Sequence, residues 1–237
     1  MKTELLYLED TYIFKSQAKF LEMRENEKGK AVILDKTVFY PQGGGQPSDI
    51  GYIKNESGVF NVTFVGLDEE GIVWHFGEFE SGSFTKDQEV SLEVNEDVRK
   101  LHARIHSAGH IIDSAIVVLG TNIEAVKGFH FSTGPYVECD GEVEDKEDFK
   151  INLENKVNEL IDNSLSLQKE NLTESEAKER NLNAPQGKDV RIVGFDGYIS
   201  RGCGGTHVAN SSEIGNIIIR KVSSKKGKTK ISYSVEI

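Results

Sequence analysis

The sequence predicts an α+β protein: a small N-terminal β-barrel-like domain over residues 1–95, followed over residues 96–237 by helices packed on an antiparallel β-sheet. Three observations lead there. The first stretch carries short apolar or alternating runs broken by Gly, Asp, Glu and Ser. An asparagine and two acids then open a segment whose apolar residues recur at three- and four-residue spacing, the period of a helix with one buried face. The far end returns to strand-like alternation on both sides of a turn containing lysine and glycine.

Strands are expected at 31–35, 60–65, 71–76 and 88–94, runs of strand length bounded by turn residues. Asn95, Glu96 and Asp97 supply a cap and first-turn acids, which places the domain boundary and the start of the first helix. Leu101, Ile105, Ala108, Ile112, Ile116 and Leu119 form its apolar stripe. A second helix is expected over 145–169, with Phe149, Leu153, Val157, Leu160, Ile161 and Leu165 on its apolar side. Thr173 and Glu176 make a capping-box pair that starts a third helix ending near Asn181. Residues 190–195 read as a strand, and 215–222 with 230–237 as a hairpin around 224–227. No internal repeat and no disordered tail is expected.

Hydrophobic residues at 37% and charged residues at 28% are ordinary for a soluble globular chain. No apolar run approaches the roughly 20 residues that span a bilayer, and the start lacks a signal-peptide pattern, so a cytoplasmic protein without membrane contact is expected. The net charge of −11 argues against a generic nucleic-acid binder. Its distribution is uneven. Glu138, Asp140, Glu142, Glu144, Asp145, Glu147 and Asp148 concentrate negative charge, whereas Arg220, Lys221, Lys225, Lys226, Lys228 and Lys230 form an acid-free basic stretch. That stretch is either a solvated hairpin tip or an RNA contact, the second requiring that it lie beside the functional site.

Two fragments carry the chemistry. His106 and His110 stand four positions apart, so on a helix both imidazoles share one face, away from the centre of the apolar stripe. His102 extends the series by one turn, but the outer pair, His102 and His110, would stand roughly 12 Å apart, so His102 is read as packing or as a partner outside the ligand set. Cys203 and His207 are also four apart, in a segment crowded by Gly197, Gly202, Gly204 and Gly205, whose backbone freedom is expected to fold the loop around an ion. Three imidazoles and one thiolate suit zinc. Of the two cysteines, Cys203 is the ligand and Cys139 is read as a small strand residue. Four protein donors close a tetrahedron, as in structural zinc sites, whereas hydrolysis needs an open position; the sequence leaves that tension standing. Asp113 is read as an exposed helix acid, and no general base is identified.

His106-Ser107-Ala108-Gly109-His110 followed by Cys203-Gly204-Gly205-Thr206-His207 resembles the zinc site of the alanyl-tRNA synthetase editing domain and its free-standing relatives, the AlaX trans-editing proteins. The glycine-rich run from Phe39 to Gly51 looks like the same family's, as does Lys127-Gly128-Phe129-His130-Phe131 leading into Gly134, Pro135 and Tyr136. At 237 residues the chain resembles the intermediate-length form, with no room for aminoacylation. The resemblance implies that the second domain is an editing domain, a Zn2+-dependent deacylase. It also implies that Gly43, Gly44, Gly45 and Gln46 border the substrate pocket.

The implied substrate is tRNA(Ala) carrying serine or glycine. Such an enzyme answers a physical need, because a synthetase site sized for alanine cannot strongly exclude a smaller side chain. Two alternatives stand beside it: an editor of Ser-tRNA(Thr), since the threonine system uses a similar His/Cys pattern, and a non-catalytic RNA-binding module stabilised by zinc.

Overall fold

The computed structural model describes residues 2–180 and 189–236. The chain is α+β and divides into two compact units, Met1–Leu101 and His102–Ile237. The division falls inside the first helix rather than just ahead of it.

The first unit contains β1 (Glu4–Leu5), β2 (Lys15–Asn26), β3 (Gly29–Leu34), β4 (Lys36–Thr37), β5 (Gly51–Asn55), β6 (Gly58–Leu67), β7 (Val73–Gly82) and β8 (Glu89–Val94). Six of these close an antiparallel barrel in the order β2-β3-β7-β6-β5-β8, while β1 pairs in parallel with β4. Phe20, Leu34, Ile53, Phe60, Val62 and Leu92 fill the interior from alternate positions, as the two-residue period of a strand requires. The expected runs overlap β3, β6, β7 and β8, with that at 60–65 inside β6 and the others overrunning their strands by one or two residues. β2 was not foreseen, because only Ala18 and Phe20 of its twelve residues are fully buried and most of the others are polar or charged.

Inside the barrel His75 is completely buried. Its Nδ1 lies 3.0 Å from the Val32 carbonyl and its Nε2 2.8 Å from Thr37 Oγ1. The carbonyl can only accept, so Nδ1 carries the proton and the Thr37 hydroxyl donates to Nε2. Burial pushes the imidazole down to about 4 from an ordinary 6.5, against the opposing pull of the Val32 carbonyl. The folded state therefore holds fewer protons than the unfolded chain, so this contribution is complete above pH 6.5 and is lost as pH falls toward 4. The difference corresponds to about 3 kcal/mol. We expect His75→Gln to flatten the fall in unfolding free energy over that window in urea titrations; a wild-type slope in the variant would assign the acid sensitivity elsewhere.

α1 (Glu96–Val118) starts as expected, with the Asn95 side chain accepting from Val98 N at 3.1 Å. In its first turns Arg99 is fully buried and grips Asp49 with Nε at 3.0 Å from both carboxylate oxygens and with Nη2. Its other contacts are the carbonyls of Thr11 and Val38, and Asp49 also accepts from Tyr40 N at 2.6 Å. The glycine-rich run is thus tied to this ion pair. Gly44 and Gly45 have φ of 52° and 78° between a Gly43–Gln46 bridge, a two-residue hairpin turn of the mirror-image type that other residues adopt poorly.

The second unit adds β9 (Glu124–Phe129), β10 (Tyr136–Asp140), α2 (Lys146–Asp162), β11 (Leu167–Leu172), α3 (Glu174–Glu179), β12 (Val190–Phe195), β13 (Ser200–Gly202), β14 (Asn216–Lys225) and β15 (Lys228–Glu236). They form an antiparallel sheet of order β14-β15-β10-β9 and a smaller one of order β11-β12-β13. α2 lies against β14, where Asn158 exchanges two 2.9 Å hydrogen bonds with the backbone of Ile217. α2 stops well short of 169: Ser164 turns left-handed at φ 52°, and the chain continues as β11, paired along its length with β12. The Thr173 capping box forms as expected, and α3 ends at Glu179; Asn181 lies outside the described residues.

Candidate metal centre

α1 presents His106 and His110 on one face, and the segment after β13 presents Cys203 and His207. Their ligand atoms all lie within 4.8 Å of one another and could hold a metal ion. Cys203 Sγ is 3.4 Å from His106 Nε2 and 3.3 Å from His207 Nε2. His102 is buried but outside this group. Burial first, and then neighbouring imidazoles and Arg191, hold His106 and His207 far below the ordinary histidine range; burial also pushes His110 down to about 4. All three are therefore neutral near pH 7, the state that ligates. Burial raises the Cys203 thiol, opposed by the Gly205 N–H 3.3 Å from Sγ and by the Arg191 charge.

The surroundings orient these groups. Ser107 Oγ lies 3.2 Å from His207 Nδ1 and accepts from Val208 N at 3.1 Å. With the proton on Nδ1, His207 keeps Nε2 for an ion. Arg191 on β12 donates Nη1 to the carbonyls of Cys203 and Gly205 at 2.8 and 3.0 Å, folding the loop back on itself. Arg201 holds Asp113 at 2.7 and 3.1 Å, fastening β13 to α1. Asp113 is thus a buried anchor, 6% exposed, rather than an exposed helix acid. The glycines do less than anticipated: of Gly197, Gly202, Gly204 and Gly205 only Gly197 has a left-handed φ, 80°, and a side chain at Gly204 would meet nothing within 4 Å. Arginine forks shape the loop.

Sequence reasoning assigned no role to His130, yet its ring stacks on that of His106 at 4.3 Å and 20°. Its Nδ1 is 2.9 Å from Tyr233 Oη, and the Tyr233 hydroxyl donates to the Ile105 carbonyl at 2.8 Å. Tyr233 spends its only proton on that carbonyl, so His130 Nδ1 is the donor and Nε2 bears the lone pair. Burial pushes His130 down to about 3. Two glycines make room for the ring: a Cβ at Gly109 would stand 2.4 Å from His130 Cε1, and one at Gly128 2.1 Å from Nε2. The signal in the sequence was a glycine inside α1. Gly109→Ala should gain about 1 kcal/mol of helix propensity in an exposed helix. Here overpacking of about 1–3 kcal/mol outweighs that gain, so we expect lower thermal stability and weaker metal retention; a rise in Tm would refute the cradle.

The remaining site candidates lie elsewhere. Gly43, Gly44, Gly45 and Gln46 belong to the first unit; Gly43 and Gly44 are exposed, whereas Gln46 is fully buried. Arg220, Lys221 and Lys225 lie on β14, Lys226 in the turn, and Lys228 and Lys230 on β15. The acidic and basic stretches are not separated in space: β10 pairs with β15, and Lys228 Nζ lies 3.2 Å from Glu138 and 3.6 Å from Asp140. The turn sits at the Asp140 end of β10, while His130 follows the Phe129 partner of Tyr136 at the other end. Cys139 is buried in β10 with its thiol pushed up to about 12, chiefly by burial. No described helix is long and apolar enough to cross a membrane.

Residues 3–98 match the family model for class II (A) tRNA synthetases, and residues 190–231 match that of the threonyl and alanyl tRNA synthetase second additional domain. The second match contains Cys203 and His207. Among curated proteins, the chain is 35% identical to the alanyl-tRNA editing protein AlaX-M of Saccharolobus solfataricus, over 99% of both chains. It is 29% identical to AlaX-L of Pyrococcus horikoshii, over 98% of this chain and 57% of that one. With the alanine–tRNA ligase of Clostridioides difficile it shares 33% identity over 78% of this chain and 22% of the ligase.

Proposed function

The chain belongs to the AlaX family of alanyl-tRNA editing proteins, and from that premise we propose that it hydrolyses mischarged tRNA(Ala) in trans, with serine and then glycine as the amino acids removed. One observation carries the reading: three imidazoles and a cysteine sulfur converge within 4.8 Å, from positions about a hundred residues apart. We assign His106, His110, Cys203 and His207 as ligands of Zn2+. Bonds of about 2.0–2.1 Å to nitrogen and 2.3 Å to sulfur put those atoms about 3.6 Å apart in a tetrahedron, and the 3.3 and 3.4 Å separations at Cys203 suit it.

Bound zinc would supply a Lewis acid for an ester carbonyl. The chain's own groups supply the setting. Ser107 keeps the His207 proton on Nδ1, Arg191 and Arg201 hold the loop, and His130 offers an unprotonated Nε2 beside His106. In the first unit, we assign the turn glycines Gly43, Gly44 and Gly45 to substrate contact, where glycine amides approach a polar ligand without side-chain hindrance. Gln46, being buried, serves the shape of that turn. The basic run does not lie beside the metal centre, its turn being at the end of β10 away from His130, so we assign Arg220, Lys221, Lys225, Lys226, Lys228 and Lys230 to tRNA phosphates remote from the reacting end. Residues 1–95 and 96–237 then act as substrate-contacting and deacylating parts of an enzyme that would work in the cytoplasm.

Deacylation of Ser-tRNA(Ala), Gly-tRNA(Ala), Ser-tRNA(Thr) and correctly charged Ala-tRNA(Ala) tests the reading. Release of serine from tRNA(Ala) with Ala-tRNA(Ala) left intact is the expected result. Preference for Ser-tRNA(Thr) would favour the threonine system, a reading that the shared threonyl and alanyl family model keeps alive. Binding without turnover on any of the four would favour a zinc-stabilised module, for which the closed set of four donors speaks. X-ray absorption with a non-hydrolysable seryl-adenosine addresses the ion's part: a fifth donor means direct contact, unchanged coordination a positioning role.

A further inference from the structure

We propose that the outward face of the β14-β15-β10-β9 sheet carries a base-stacking platform for unpaired RNA, formed by Phe131, Phe129 and Tyr136 and closed by Lys230. The proposal rests on the tRNA reading above and adds where the nucleotides next to the reacting ester are held.

The rings are nearly parallel. Phe131 and Phe129 stack at 4.5 Å and 16°, Phe129 and Tyr136 at 5.2 Å and 17°, and Lys230 Nζ stands 3.6 Å from the Tyr136 centroid. The buried pair Phe39 and His75, by contrast, meets edge-on at 80°. All three ladder rings are only half-buried, and Phe131 has no second ring or cation against it among the described residues. Exposed Lys127 and Lys230 flank Glu138 in register on neighbouring strands. Parallel π-faces with interleaved ammonium groups match single-stranded nucleic acid, whose bases stack and whose phosphates are anionic.

Position strengthens the case. His130 lies between Phe129 and Phe131 in the chain and faces the other way, its ring on His106. β9 is an edge strand of this sheet. An RNA whose terminal ribose sits at the histidine cluster can therefore pass over that edge and stack a preceding base on the open face of Phe131, the end of the ladder. The lysine turn, at the opposite end of β10, is placed for phosphates farther back.

The test uses the full chain with two uncharged probes, a short RNA duplex with a four-nucleotide 3′ overhang ending in adenosine and the same duplex made blunt, in fluorescence anisotropy. The wild type should prefer the overhang. Phe131→Leu, which keeps bulk and loses the π-face, should lower overhang affinity about tenfold and leave the blunt duplex unchanged, while Phe131→Trp retains it. Lys230→Ala, which touches no ring of the core, should also weaken the overhang and flatten its salt dependence. Equal loss on both probes, no loss on either, or a change in oligomeric state instead would overturn the proposal. Because the probes need no hydrolysis, overhang preference without deacylation would sink the enzymatic reading alone, and deacylation without overhang preference the platform alone.

Discussion

Cys203→Ala is expected to reduce bound metal from about one ion per chain to a trace and to lower deacylation by more than about a hundredfold. The thiolate is the only sulfur in the cluster and stands 3.3–3.4 Å from two of the three imidazole donors. Its removal leaves three neutral histidines, whose burial already disfavours protonation. The loop itself should persist, since Arg191 holds it through the carbonyls of Cys203 and Gly205 rather than through sulfur. Elemental analysis of unchelated protein, read beside circular dichroism, separates metal loss from unfolding. His102→Ala is the control and should keep its metal, being buried outside the cluster. Stoichiometric zinc in Cys203→Ala, or equal loss in His102→Ala, would overturn the ligand assignment.

Arg99→Met is expected to destabilise the protein by about 3–5 kcal/mol. Arg99 and Asp49 are both fully removed from water, and the guanidinium also serves the carbonyls of Thr11 and Val38. Methionine fills much of the volume but leaves a buried carboxylate facing the Tyr40 N–H without its guanidinium and two carbonyls without their donor. A charge left alone in that way costs more than the pair contributes, so the double variant Arg99→Met, Asp49→Leu should recover a large part of the loss. Urea unfolding measures both. A single variant within about 1 kcal/mol of wild type would show that the pair is dispensable.

What the sequence made legible follows the strength of local chemistry. That His106, His110, Cys203 and His207 converge was readable because few residue types bind metals and their spacing matched a helix face and a tight loop. The capping residues Asn95 and Thr173 were readable for a similar reason, as both act within one turn. β2 was not, because its outward residues are charged and its alternation is weak. The end of α2 was missed since Leu165 and Leu167 continue an apolar pattern, while the left-handed Ser164 that breaks it has no signature of its own. Asp113 and His130 depend on partners 88 and 103 residues away, Arg201 and Tyr233, and such contacts leave no periodic trace.

The hydroxyl that fixes His130 sits on β15 and reaches back to a carbonyl of α1, 128 positions earlier. The proposed ligands His106 and His207 and their keystone Tyr233 must therefore all be present before the cluster has its final shape. During synthesis the early histidines spend most of translation without their counterparts, and contacts of such long separation form slowly. Under the proposed zinc assignment, ion capture would belong to the last stage of maturation, and scarcity of the metal should yield a folded barrel attached to an unfinished second unit rather than a uniformly unfolded chain.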